Sequence, residues 1–482
     1  MARKKMSGAA KALICVLSVG AAVGAAAAIT KGFKEIPRVG LIDEVTSKEK
    51  VFSVEFKDGE VEGTRMDDAV GLKAGINGET NNFDHIAPWC NMKTVKDSNG
   101  DVFVKIPKFY EKVEFTEEGI KYSITASERK GFHVNPAFIK GEAQVDEIQI
   151  GAYEASFTET GGLASVADAT PAGSKTLDEF RALAEAGGNM LFDWRQNQAL
   201  QSLFTVEFAT LDAQSIMRGG TEYVCLYGSE EDDGNECKYS VSTDEMCKFE
   251  DTKLVDIAKV GANVFCYYNG DETIVLGNRK ISEIKYNSGK TAVTSITLDE
   301  ALDLEDIEDF DAENLYFDIN GLQKTGSTAG RRGSSNGSAT EAIAMNYRGI
   351  ENWYGSSYTW IDGLYTIQTT EEAEDEDDDP ITHDMIAISM DATKNGDRSS
   401  YKMFAKADVT TKVSAEGIYL NDVHSTDAED SFSLSFNSEA RIGFVGGGFN
   451  DLVCAGAFDT NINDGLDGAG CNYGVRLSYI PH

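Results

Sequence analysis

The sequence is poor in positive charge, proline and histidine, and each shortage narrows what the chain can do. Its 44 lysines and arginines face 80 aspartates and glutamates, a net charge of −36 over 482 residues. No basic tract is long enough to neutralise several phosphates, which argues against nucleic-acid binding. Such acidity favours solubility and repels anionic surfaces unless cations bridge them. The 5 histidines (His85, His133, His383, His424 and His482) have no metal-ligand spacing such as H-E-x-x-H. None of the 8 cysteines forms a C-x-x-C pair, so a zinc site has little support. Cys15 and Cys90 stand apart. Cys225, Cys237, Cys247 and Cys266 lie close enough in sequence to pair in an oxidising compartment, or to remain buried thiols. Gly446-Gly447-Gly448 lacks the lysine and the following helix of a phosphate-binding loop. No internal repeat and no heptad stalk is visible.

What is present points to many short strands. The chain has 47 glycines against 7 prolines, with 18 tyrosines and 24 phenylalanines, a composition suited to strands and tight turns. At 41% hydrophobic it is globular, and its length allows two to four domains. Ala12–Ile29 is an uncharged run of 18 residues between basic flanks. It fits a secretory signal, a spanning helix or an alanine-rich helix docked in an assembly. An amino-terminal segment 1–35 and a β region 36–115 are expected, followed by an α+β domain over 116–482.

Two helices are expected in that domain. One starts at Thr176, with Glu179 at capping-box spacing, and stops at Gly187-Gly188. The second starts at Asp193, lays Leu200, Leu203, Phe204, Phe208 and Leu211 on one face, and stops at Gly219-Gly220. A β insertion follows at about 222–298, with a hairpin turn at Asn269-Gly270-Asp271. Gly326–Ser338 reads as a loop, and 371–380 as a solvated acidic loop. Gly333-Ser334-Ser335-Asn336-Gly337 satisfies G-x-S-x-G, but both flanks are loop rather than strand and helix, so no nucleophile elbow is expected.

The stretch GAFDTNINDGLDGAGCNYGVRLSYI (456–480) concentrates the interest. Asp459, Asn461 and Asn463 fall at calcium-loop positions 1, 3 and 5. However, position 6 is Asp464 instead of glycine, and position 12 is Gly470 instead of glutamate, which rejects an EF-hand. A looser calcium site of Asp and Asn oxygens stays open; otherwise no cofactor or metal is expected. Residues 473–479 alternate as a strand, with Tyr473, Val475, Leu477 and Tyr479 on one face. Arg476 on the other face needs a partner if buried, and Asp362 or Glu351 is the expected carboxylate.

The run VGGGFNDLVCAGAFDTNINDGLDGAGCNYGVRLSYI resembles the carboxy-terminal segment of C-type-lectin-like domains in phage tail and minor structural proteins. It is similar above all to target proteins of diversity-generating retroelements. In these a Gly-Gly turn leads into an aGxF strand, then an Asn/Ser/Gly-rich loop, then N-x-G-x-R-L. Gly446-Gly447, Ala455-Gly456 with Phe458, the 459–471 loop, and Asn472, Gly474, Arg476 and Leu477 match. The blocks VFVKIPKFYEKV, GFHVNPAFI, IGAYEASF, LQSLFTVEFATLDAQSIMRG and YRGIENWYGSSYTWIDG look like segments of structural proteins from phages and prophages of Gram-positive bacteria. The resemblance runs from about Ala69 to the end. It implies a C-type-lectin-like domain, two helices on small twisted antiparallel sheets.

It also implies a frame of Gly446, Gly447, Gly456, Phe458, Gly474, Arg476 and Leu477. On that frame Phe449, Asn450, Asp451, Asp459, Asn461, Asn463, Asp464, Leu466, Asp467 and Asn472 would contact a ligand, flanked by Trp353, Tyr354, Tyr358 and Trp360. The implied protein is virion-associated and binds a carbohydrate or protein on the host surface. Its implied partners are other virion proteins, and it is expected to be a homo-oligomer. A bacterial surface or secreted adhesin is the alternative. Formylglycine-generating enzymes share the fold, but their G-N-V-W-E-W hallmark corresponds here to Gly355-Ser356-Ser357-Tyr358-Thr359-Trp360, where only the glycine and last tryptophan match. Cys454 and Cys471 lack the motif context of those enzymes' copper-binding pair, so an oxidase is not expected.

Overall fold

Glycine and asparagine turns cut this chain into short strands. In the computed structural model strands hold more than twice as many of the described residues as helices, an α+β protein that is mostly β. Described are residues 43–219, 224–227, 254–270, 273–305, 307–308, 310–328, 334–335, 344–371, 380–405, 432–449, 451 and 455–481. Ala12–Ile29, Asn450, Cys454, most of the acidic loop and most of the G-x-S-x-G loop lie outside them. Among the described residues no helix is long and apolar enough to cross a membrane.

Two helices exceed a single turn among the described residues, α1 (Leu177–Ala186) and α2 (Trp194–Phe208). Both start as reciprocal capping boxes. In α1 the Thr176 hydroxyl accepts from Glu179 N (3.3 Å) and Thr176 N donates to the Glu179 carboxylate (2.9 Å). In α2, Asp193 accepts from Gln196 N at 2.9 Å and Gln196 accepts from Asp193 N at 3.1 Å. The expected stop of α2 at Gly219-Gly220 is not where it ends. The helix ends at Phe208, because Arg65 takes the carbonyls of Val206 and Glu207, and residues 61–63 bond the left-handed Ala209 and Leu211.

The expected single apolar face of α2 is also too narrow, since every one of its residues is buried. A sheet from the amino-terminal region covers the side that would otherwise face solvent. Its strands run in the order Thr64–Asp67, Phe52–Lys57, Gly119–Thr125, Tyr110–Phe115, His133–Val134. The polar side chains of α2 reach surrounding loops instead of water: Gln201 donates to Ala457 O (2.9 Å), and Asn197 accepts from Trp353 Nε1 (2.9 Å). Residue 115 lies at the tip of the 110–125 hairpin, so the segments on either side of it share this sheet.

A central sheet runs Met190–Leu191, Leu477–Tyr479, Glu147–Gly151, Val102–Pro107, Lys93–Lys96. The carboxy-terminal strand therefore lies inside it, with Ser478 opposite both Ile150 and Met190. The insertion forms its own sheet, Val224–Tyr227, Leu315–Ile319, Asn263–Asn269, Thr273–Tyr286, Val293–Leu298. It extends past residue 298, because the strand at 315–319 pairs between the two expected as its start. One face of this sheet buries Leu226, Val264, Cys266, Ile296 and Phe317. A terminal sheet, Phe432–Leu434, Thr460–Asp464, Ile442–Val445, Tyr358–Trp360, Tyr473–Gly474, carries the Gly/Asn-rich loops.

One buried ion pair joins these layers. Met345–Tyr347 and Ile350–Glu351 form a hairpin whose two turn residues, Arg348 (φ 51°) and Gly349 (φ 102°), are both left-handed, as a type I′ turn requires. The turn aims Arg348 at Glu207 of α2, with Nε to Oε2 at 2.7 Å. Asn81 Nδ2 (2.7 Å) and the Tyr347 hydroxyl (3.1 Å) complete the donors to that carboxylate. Arg348→Met leaves the carboxylate buried without its cation. Urea unfolding should show a loss of about 3–5 kcal/mol, part of which the Glu207→Gln/Arg348→Met pair restores.

Candidate functional site

The alternation of residues 473–479 predicts one strand, but the chain makes two. Tyr473–Gly474 runs parallel to Tyr358–Thr359 in the terminal sheet, and Leu477–Tyr479 belongs to the central sheet. Val475 and Arg476 cross between them, both buried. Arg476 donates to three main-chain carbonyls: Gly151 at 2.9 Å, Glu351 at 2.7 Å and Asn352 at 2.8 Å. The expected carboxylate partner is a correction. Asp362 is held by Arg181 (3.0 and 2.8 Å), and the Glu351 carboxylate accepts from Gly326 N (2.6 Å), Thr328 N (2.8 Å) and the Thr328 hydroxyl. Burial pulls the Arg476 guanidinium down to about 10, opposed by the nearby charges of Glu154 and Glu351.

Glu154 ties the neighbouring loop into the same frame. Its carboxylate accepts from Ser357 N (3.0 Å), the Ser356 hydroxyl (3.0 Å) and Asn352 Nδ2 (3.3 Å). Gly446 (φ 87°) and Gly447 (φ 64°) turn where a Cβ would come within 2.7 Å of Trp353 O and of Ala455 Cα, so only glycine fits both the conformation and the space. Gly456, Phe458, Gly474 and Leu477 are buried.

The ten residues expected at a ligand surface separate by burial. Asn463, Leu466 and Asp467 are exposed; Asp451, Asn461, Asp464 and Asn472 are half-buried. Phe449 and Asp459 are buried, and Asn450 lies outside the described residues. Asn461 turns inward to Asp459 (2.8 Å) while Asn463 faces solvent, so the three residues at calcium-loop spacing do not converge. Extended backbone separates such alternate residues by about 7 Å each. Among the described residues no three His, Cys, Asp or Glu side chains gather as a metal set.

Beneath the exposed loop lies an aromatic group that only partly shows in the sequence. Tyr358, Phe444, Tyr473 and Trp360 pack with ring centroids 4.7–5.9 Å apart, mostly edge to face. Trp360, Trp353 and Tyr354 are core residues, whereas Tyr358 and Tyr473 are half-buried. Tyr358 donates to Asp451 at 2.6 Å, and Asp451 accepts from Gly448 N at 2.9 Å. Burial, then the Asp451 carboxylate, hold the Tyr358 hydroxyl protonated well above its usual range. Burial likewise raises Asp464, with Arg441 opposing. In the sequence Tyr473 reads as part of the apolar face of the last strand, and Arg441 was missed because it lies upstream of the Asn/Asp/Gly-rich run. A shelf of two tyrosines, several carboxylates and an arginine can stack on and hydrogen-bond a polyhydroxylated or peptide ligand.

Phe449 points the other way. It packs with Phe265 and Leu322 of the insertion, beside Tyr267 and Cys471. Tyr267 stacks on Tyr316 at 5.0 Å. On the same face Asp318 is buried and its carboxyl is pushed up to about 7, against a bond from Cys225. Cys90, Cys225, Cys266 and Cys471 are thiols rather than disulfides. Burial, with Asp318, raises Cys471 to about 12, which leaves it protonated at neutral pH and poorly nucleophilic.

Compared with protein-family models and with curated protein sequences, the chain matches none of either.

A carboxyl raised from 3.8 to about 7 binds, in the folded state, a proton that the unfolded chain has released. Its contribution to stability is full below about pH 4 and is lost as pH rises through 7, at no more than about 1.4 kcal/mol per pH unit. Asp318→Asn stays neutral throughout. Its stability relative to the parent should therefore climb between pH 4 and 7 and level off above, as read from urea unfolding across that range.

Proposed function

We propose that this chain is a phage virion protein, tail- or surface-associated, whose carboxy-terminal α+β domain has the C-type-lectin-like fold and binds a host-surface carbohydrate or protein. One observation carries the reading. Arg476 clamps the carboxy-terminal strand into the central sheet, while the strand Thr460–Asp464 and the loop after it hold Asn463, Leu466 and Asp467 in solvent beside two half-buried tyrosines. A rigid frame under a polar, solvent-facing loop is how paratopes are built. The lectin-like assignment is supported by the two helices, the early strand 147–151 pairing with the last strand 477–479, and a second small sheet bearing the loops. Neither catalysis nor a cofactor enters this reading. Other virion proteins and further copies of the chain are its proposed partners. The uncharged run Ala12–Ile29 favours the second reading, a bacterial surface or secreted adhesin.

Asn463, Leu466 and Asp467 are exposed, so replacing all three with alanine should leave the melting temperature within a few degrees of the parent. Binding of the purified protein to host cells should fall at least tenfold, and immunodetection should find the protein in purified virions. Unchanged adsorption in the variant would sink the binding reading. Presence on uninfected cells but not in virions would favour the adhesin.

A further inference from the structure

A second site lies away from the terminal loop. The insertion sheet and the 320–327 loop enclose a cleft of about 800 Å³, the size of an oligosaccharide segment or a drug-sized ligand. Both walls are built before any ligand arrives. On one wall, Thr325 Oγ1 donates to Val166 O (2.7 Å), Asp168 N donates to Thr325 O (2.8 Å) and Gly326 N donates to Glu351 (2.6 Å). On the other, Gly261 N donates to Ile281 O (2.7 Å) and Lys280 N to Asp299 Oδ1 (2.8 Å). The Thr170 hydroxyl bonds Asn278 (3.0 Å), joining the insertion to the main domain beside the cleft.

The acidic excess of the molecule is absent here. The whole chain has 80 acidic against 44 basic residues, yet the cleft is lined by Lys259, Arg279, Lys280 and Lys324 against Asp168, Asp299 and Glu300. Arg279 spends N–H groups on the carbonyls of Asn278 (3.0 Å) and Ala301 (3.1 Å), neutral acceptors in place of a carboxylate. Lys324 reaches Asp168 only at 3.9 Å, on a half-exposed side chain. Low-dielectric walls concentrate such a field. Among the described residues no aromatic side chain lines the cleft, so these offer a nucleobase no stacking surface. Amide, hydroxyl and cationic groups remain, which suit a ligand rich in hydroxyls and bearing negative charge.

We propose that the cleft between the insertion sheet and the 320–327 loop binds an anionic oligosaccharide, its charge supplied by uronic carboxylates or by polyol phosphates. The inference does not rest on the terminal-loop reading. Isothermal titration of the full chain at about 50 mM salt would use a hyaluronan hexasaccharide, polyglycerol phosphate and neutral maltohexaose. At least one anionic probe binds, at least tenfold tighter than maltohexaose, and which one names the source of the charge. Lys280 and Lys324 are exposed and on opposite walls. The Lys280→Glu/Lys324→Glu pair weakens that binding at least tenfold with an unchanged melting curve. The triple alanine change at Asn463, Leu466 and Asp467 leaves it unaltered. The proposal is overturned if neither anion binds, if maltohexaose binds equally well, if the charge reversals change nothing, or if the loop alanines abolish binding. The first two outcomes need no variant to fold.

Discussion

A guanidinium that meets only backbone carbonyls organises the carboxy-terminal half of this protein. Arg476 is fully buried, and water is replaced around it by the carbonyls of Gly151, Glu351 and Asn352. Burying a cation without a contacting carboxylate is costly, and the cost is tolerable here because two buried carboxylates stand nearby while occupied with other donors. Glu351 holds the 326–328 loop and Glu154 holds the 356–357 loop. One charge thereby fixes the positions of three chain segments. The terminal sheet, the exposed loop and one wall of the insertion cleft all take their places from it.

Two further cations work on a similar plan with conventional partners. Arg348 joins the 345–351 hairpin to α2 through Glu207, and Arg181 joins α1 to Asp362. In a chain with nearly two acids per base, these three buried arginines sit where layers meet, while a fourth, Arg195, pairs with Asp193 at the start of its own helix. Among the described residues buried carboxylates outnumber buried arginines as well, and several, such as Glu154 and Glu351, are held by N–H and hydroxyl donors in place of a cation. Donors and acceptors from distant segments likewise let α2 be polar in composition and buried on every side.

How much of this could be read from the sequence depends on whether the deciding interaction was local. Both capping boxes, Thr176 with Glu179 and Asp193 with Gln196, lie within four residues and were legible or nearly so. The insertion was legible at its hairpin but not at its end, because the strand 315–319 enters the sheet by pairing with segments far upstream. The burial of the polar residues of α2 was not legible, since their partners Ala457 and Arg348 lie 256 and 141 residues away. That Arg476 is buried followed from its neighbours, but its acceptors could not be named, since every residue carries a carbonyl. Around the candidate site the expected 459–471 loop is in part a strand, Thr460–Asp464, because it pairs with segments on both sides; Asn463 and Asp467 are exposed. Phe449 turned inward because the insertion offers it Phe265 and Leu322, a surface only the tertiary fold creates.

The sequence separation of the arginine contacts has a kinetic consequence. Arg476 meets Gly151 across 325 residues, Arg181 meets Asp362 across 181, and Arg348 meets Glu207 across 141. None of these bonds can form until long loops have closed, so they come late and the barrier to reaching the native state is high. The same property acts in reverse. Interactions made only after the transition state slow unfolding rather than speed folding, so the molecule should be slow to assemble and, once assembled, persistent.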